Sequence, residues 1–209
     1  METPNSKQQQ LTALQQQILQ CRVCWDSFGF EPHPVVQGNH CAKIMQISQA
    51  PSKRVHETGR PFNDASGKKL REEWYGISER EFYNPDFFYI VSMAHCYPGK
   101  SPGKGDRQPP KICAEKWLQN EMPLVENELT ILIGAIAAKY FFPKEPFTAL
   151  VFQDIEMNGK PAFVLPHPSP LNIKWFRDYP EFAKERLPAV RKAVHRALGL
   201  PLNPQSENR

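Results

Sequence analysis

The chain has 209 residues, 40% of them hydrophobic and 23% charged, which is enough for one well-filled core and too little for two independent ones. No apolar run approaches the roughly 20 residues that cross a bilayer, and the Gln-rich opening 1–20 lacks the apolar centre of an export signal. These features exclude a membrane-spanning role and lead us to expect a cytoplasmic protein, while a formal charge of +4 permits contact with phosphates without requiring it.

In chain order, Leu11, Leu14, Ile18 and Leu19 recur at helical spacing and predict a helix over 8–20 that delivers the chain to Cys21. Four short apolar runs follow, at 42–47, 87–93, 129–133 and 162–165, nearly continuous and rich in β-formers, as in strands buried on both faces of a parallel sheet. Segments of helical character lie between them at 67–75, 111–127 and 135–142. Strand and helix alternate, so the expected class is α/β, a three-layer sandwich with a central four-stranded, mainly parallel sheet. One domain over 1–209 is expected, with loose ends at 1–7 and 201–209. The last helical region divides at Pro188, a residue suited to the first turn of a new helix. Beyond it Val190, Val194, Ala197 and Leu198 form an apolar face, and Arg191, Lys192, His195 and Arg196 a basic one that reads first as solvated.

Ligands of an open α/β sheet bind beyond the carboxyl ends of its strands. Three loops leaving predicted strand ends carry unusual chemistry: 49–67, 95–110 and 166–172. A single crevice lined by all three is expected. Cys21 and Cys24 form C-x2-C, Cys96 and Cys113 are separated by sixteen residues, and Cys41 opens the first predicted strand as a small core residue. In a chain without an export signal these thiols suit a metal better than disulfides. Four thiolates match either tetrahedral zinc or an iron–sulfur cluster, and the spacing leaves both open.

The 49–67 loop reads Q-A-P-S-x-x-x-x-E-x-G-R-P-F-x-x-x-S-G, and H-P-S-P-L-N follows at 167–172. In order and separation the two resemble the first and second motifs of the uracil-DNA glycosylase superfamily. The four cysteines resemble those of its iron–sulfur branch, families four and five, and the likeness runs from Cys21 to Pro188. It implies a DNA glycosylase of base-excision repair, monomeric and nucleoid-associated, acting on DNA that contains a deaminated base. It also implies a 4Fe-4S cluster on Cys21, Cys24, Cys96 and Cys113, with zinc as the alternative.

The chemistry assigns roles residue by residue. A base taken out of the stack needs a platform and edge contacts, which falls to Phe62, with Gln49, Ala50 and Ser92 beside it. The departing base takes negative charge, which the His167 imidazole is placed to meet. Ser169 suits a backbone phosphate and Leu171 the gap left in the stack. Lys100, Lys104 and Arg107 lie among glycines in P-G-K-S-P-G-K-G-D-R, open to a phosphate chain or to solvent alone. The pattern departs from its relatives where they keep carboxylates: Ala50 and Gln49 occupy those places. Asp64 in F-N-D-A-S-G is then the first choice of acid, as readable as a helix cap, with Glu57 and His56 next. Ser92 stands where family four places a base-reading Asn, so hypoxanthine and xanthine remain open beside uracil. With the usual acids missing, a cluster-containing module that binds damaged DNA without hydrolysis is the alternative, and a zinc protein acting on a small nucleoside or phosphate ligand is a third reading.

Overall fold

The computed structural model describes residues 4–103 and 105–201. Its centre is a sheet of five strands, β1 Ile44–Ser48, β2 Phe88–Ser92, β3 Leu129–Ile133, β4 Ile155–Met157 and β5 Lys160–Leu165, in the order β2-β1-β3-β5-β4. β1 runs parallel to both β2 and β3, and β3 parallel to β5. Every residue of β1 and β3 is buried, as expected of strands covered on both faces by helices. The α/β class is as expected from the alternation of strand and helix.

The four-strand expectation is corrected by β4, which pairs antiparallel with β5. Asn158 and Gly159 make the turn between them, with φ of 54° and 71°. Two left-handed residues in succession are what a two-residue hairpin requires, and Asn-Gly is the pair that tolerates it. With only three residues, β4 shows too little alternation to be read from hydropathy alone.

The first helix, α1, spans Pro4–Leu19, and Lys7 already pairs with Glu126 at 2.8 Å. Residues 4–7 therefore belong to the helix rather than to a loose end, while 1–3 and 202–209 lie outside the described residues. A short α2, Val23–Phe28, follows. Beyond β1 come α3, Lys53–Thr58, and α4, Ala65–Lys68, which continues as a π-helical segment over Lys69–Tyr75. Pro188 lies in the first turn of the helix Leu187–Leu198. The basic face of that helix is partly structural. His195 is buried, with its ring nitrogens against the carbonyls of Tyr75 and Pro201, and Arg191 donates to Trp74 and Glu73 carbonyls.

Strand order reverses at β1, whose chain neighbour β2 lies on one side and β3 on the other. A crevice at the carboxyl ends follows from that reversal, because the loops leaving β1 and β3 part in opposite directions. One large apolar cluster fills both faces of the sheet. A smaller one, Ile18, Ala94, Cys113 and Trp117, joins α1 to the segment after β2. Cys41 is not in either cluster. It precedes β1, half-buried, and its thiol donates to the Asp86 carboxylate at 3.2 Å, because the strand begins at Ile44, two residues later than its apolar run suggests.

Candidate active site and cysteine recess

A cleft of about 160 Å³ opens at the carboxyl ends of β1 and β2, and its walls come from all three predicted loops. Gln49, Ala50, Phe62, Asp64, Ser92 and His167 line it together, although they span more than a hundred residues of chain.

The register Ser48↔Ser92 ends β1 and β2 side by side, and the two hydroxyls meet at 2.7 Å on the cleft floor. Each retains further donor or acceptor capacity for a ligand edge. After β1 the chain turns at Pro51 and Ser52 caps α3 by accepting from the Val55 N–H at 3.3 Å. Phe62 then adopts φ of 53°, an uncommon conformation for a bulky residue. Its ring meets the buried Phe82 edge-on, with centroids 6.2 Å apart.

Asp64 is a helix cap: Oδ1 accepts from the Gly67 N–H at 3.0 Å, and α4 starts at the next residue. It is also a cleft residue, near enough to His167 for its charge to favour the protonated ring. Cap and candidate acid are thus one side chain.

His167 follows β5 and sits between Pro166 and Pro168. The Ser169 N–H donates to Nδ1 at 3.2 Å, which fixes the neutral tautomer as Nε2–H. The surrounding cleft desolvates the ring and pulls its pKa below the ordinary value, outweighing the opposing pull of Asp64. The loop is knit by its own polar groups: Ser169 Oγ accepts from the Leu171 N–H at 3.2 Å, and the Asn172 amide donates to the His167 carbonyl at 3.1 Å. Leu171 is thereby held out at 91% exposure, with Ile173 beside it at 70%.

The other candidates lie apart from the cleft wall. Glu57 is exposed and pairs with Lys53 at 3.7 Å; His56 packs its ring against His33 at 5.0 Å. Arg107 is exposed, and its N–H donates to the Gly99 carbonyl at 2.9 Å. Lys104 lies outside the described residues. Lys100 is engaged with Asp106 at 2.7 Å. Asp106 in turn accepts from the Tyr97 hydroxyl at 3.1 Å and reaches the cleft, as do Ser48 and His95. Sequence reasoning missed these three. Only Ser48 carried a signal, its position one residue before the motif, at a strand end.

On the other side of His95, Cys21, Cys24, Cys96 and Cys113 line one narrow recess walled by Ile18, Pro32, Pro34 and Trp117. All are free thiols, and all but the half-buried Cys21 are buried. Burial first, and the Cys113 and Cys21 sulfurs second, push Cys24 up to about 11. Burial likewise pushes Cys96 up to about 12, against a backbone hydrogen bond from His33. Cys113 Sγ accepts from the His95 N–H at 3.3 Å and stands 3.6 Å from its ring Nδ1. His95 Nε2 and Glu121 Oε2 face each other at 2.9 Å in the interior, neither making a directed hydrogen bond, while the Tyr89 hydroxyl donates to Glu121 Oε1 at 2.5 Å. Among the described residues no group of three or more His, Cys, Asp or Glu side chains has the arrangement of an ion site. In chemistry the donor set nevertheless fits a thiolate-bound group: four sulfurs in one narrow recess, two of them, Cys96 and Cys113, already receiving a backbone N–H. No helix among the described residues is long and apolar enough to cross a membrane.

Comparison with known proteins adds three findings. Residues 35–191 match the family model of the uracil DNA glycosylase superfamily, a span that takes in the whole cleft and, of the four recess cysteines, Cys96 and Cys113. The Type-4 uracil-DNA glycosylase of Archaeoglobus fulgidus is 27% identical over 129 residues, 60% of this chain and 60% of that one. The Type-4 uracil-DNA glycosylase of Saccharolobus solfataricus is 25% identical over 139 residues, 64% of this chain and 60% of that one. The aligned part thus spans about 60% of the length of either relative.

Proposed function

Because the chain belongs to the uracil-DNA glycosylase superfamily, we propose that it is a monofunctional DNA glycosylase of base-excision repair, hydrolysing the N-glycosidic bond of uracil or another deaminated base. The base leaves the stack for the cleft, where Phe62 offers a face and the Ser48–Ser92 pair meets its edge, with Gln49 and Ala50 completing the wall. As the C1′–N bond breaks, its electron pair passes to the base, and His167 meets the charge growing on a base oxygen with its Nε2 proton. Asp64 sets a negative charge beside the sugar cation. Water then bonds to C1′ and yields its proton to the carboxyl oxygen not engaged with Gly67. The products are the free base and an abasic strand.

The observation that carries this reading is the His167 tautomer, held with its Nε2 proton in the same cleft as Asp64 and Phe62. Ser169 and Arg107, with Lys104 three residues before Arg107 in sequence, would meet the phosphate chain and Leu171 the vacated stack. Cys21, Cys24, Cys96 and Cys113 would hold a 4Fe-4S cluster, or zinc in its place. When bound, the group supplies a structural tie between the segment before β1 and the loop after β2, and no step of the hydrolysis. The reading includes a monomer folded as one unit and acting at the nucleoid.

The test is a panel of single- and double-stranded oligonucleotides carrying one uracil, hypoxanthine or xanthine, incubated with metal-loaded protein and treated with alkali. Strand scission at the modified position is expected for at least one base. Folded, metal-loaded protein that cuts none of them overturns the hydrolytic reading. If it also binds the modified strands tightly, and Asp64→Ala leaves that binding intact, the protein is a damage-recognition module.

A further inference from the structure

Phe62 is the one residue of the cleft wall held in the left-handed region, and the surroundings account for how it stays there. Its carbonyl oxygen lies against Gly67, where a Cβ would stand 1.7 Å from it, so no larger residue fits at that position. The same oxygen accepts from Arg71 Nη1 at 3.3 Å. One residue earlier, the Pro61 carbonyl accepts from the Tyr83 hydroxyl at 2.8 Å. Arg71 is 7% exposed, its guanidinium carbon 5.8 Å from the centres of both the Phe82 and Tyr83 rings and its Nη2 3.6 Å from Glu79. Arg60 covers the Tyr83 ring at 3.8 Å. A guanidinium in such a place is costly to desolvate, and a polar core residue of that kind calls for a reason.

We infer that Arg71 and Tyr83 are positioning residues: together they grip two successive carbonyls, Pro61 and Phe62, and hold the strained turn that aims the Phe62 ring into the cleft. Neither lines the cleft, so both act through Phe62. The grip comes from the π-helical segment Lys69–Tyr75 and the turn after Glu79–Phe82, so the platform is fixed by elements that the substrate does not touch. Left-handed backbone at a bulky residue costs energy that only such over-determined surroundings sustain, and here they set the ring direction. The inference rests on the proposal that Phe62 is the stacking platform.

The experiment compares Arg71→Met, Arg71→Lys, Tyr83→Phe, Phe62→Ala and the double variant Phe62→Ala/Arg71→Met, each checked for folding by thermal melting. The first readout is hydrogen exchange at 61–67, which needs no activity. Arg71→Met speeds it about tenfold or more, consistent with loss of a charge-assisted hydrogen bond, with exchange in β1 and β3 unchanged. Unchanged exchange at 61–67 overturns the inference. The second readout is kcat/KM on the strand cut best in the oligonucleotide panel, beside affinity for the matching abasic strand. Phe62→Ala lowers kcat/KM between about fivefold and a hundredfold, as loss of one base–aromatic stack does. Arg71→Met lowers it comparably with abasic-strand affinity preserved, Arg71→Lys recovers part of the loss, and the double variant is no worse than Phe62→Ala alone. A multiplicative loss in the double variant overturns the inference and leaves the platform reading standing. Phe62→Ala at full activity overturns the platform reading, and the positioning role falls with it. Where Arg71→Met does not fold, Arg71→Lys and Tyr83→Phe carry both readouts.

Discussion

The cleft and the cysteine recess share His95 and are built on opposite terms. In the cleft the polar groups of the two motif loops are tied to backbone two or three residues away: Asp64 to Gly67, His167 to Ser169, Ser169 to Leu171. The recess gathers sulfurs from distant segments, and burial leaves Cys24 and Cys96 as neutral thiols, up to about 11 and 12. Ionising them in that shell is unfavourable until a cation offsets the charge. The comparison teaches that the motif loops of the cleft are preorganised by local chain, whereas four thiolates in the recess would need a cation to offset their charge.

The largest effect separates the two. Cys96→Ala removes one of the four proposed ligands and no residue of the cleft wall, so the expected result is loss of bound iron together with a melting temperature lower by about 10 °C, a few kcal/mol for a chain of this size. Elemental analysis, the visible absorption band and calorimetry on aerobically and anaerobically purified protein check it. Full iron content in the variant breaks the assignment of the recess.

Next comes His167→Asn, which acts on the cleft alone. Losing one preorganised donor to a developing oxyanion lowers kcat by about 10²- to 10³-fold. Iron content and melting temperature stay as in the parent protein, since the side chain lines the cleft and not the recess. Single-turnover rates at saturating enzyme measure the effect. A variant that loses iron in step with rate shows the two regions to be one cooperative unit and breaks the comparison.

The difference also governs what was legible. Local ties leave local signals: the two motif loops, the strand ends they leave, and the one crevice they share followed from the residues of 49–67 and 166–172. The Asn158-Gly159 hairpin was equally legible, and was passed over because β4 contributes only Ile155 and Met157 to an alternation too short to register. Ser48, Asp106 and His95 were hidden for a different reason. Ser48 gains meaning only from the β1–β2 register that sets it against Ser92, Asp106 from a loop closed by Lys100, and His95 from Glu121 brought beneath it by packing. Nor does the sequence around Arg71 point to Phe62; nine residues of chain turn back before the two meet. The absence of Glu57, exposed, and of His56, half-buried, from the cleft wall follows from α3, which turns them away while its Val55 turns in.

The smallest effect is the sharpest on the local side of the comparison. Desolvation lowers the His167 pKa below the ordinary value of about 6.5, and Asp64 opposes that shift. The unfolded chain therefore binds a proton at higher pH than the folded one, so stability from the neutral ring is fully present above about 6.5 and is lost as pH falls through the folded value. Catalysis follows the same direction. Protonation puts a second hydrogen on Nδ1, facing the Ser169 N–H, and breaks the contact that sets the ring. The expected kcat profile has an acid limb centred below about 6.5, falling about tenfold per pH unit beyond it. Asp64→Asn removes the charge that favours the protonated ring, so the His167 titration, followed by NMR of the imidazole, moves further down. An upward or absent shift in that variant means that Asp64 does not face the ring as a carboxylate, and the acid must then be sought elsewhere on the cleft wall, with Asp106 the next carboxylate to remove.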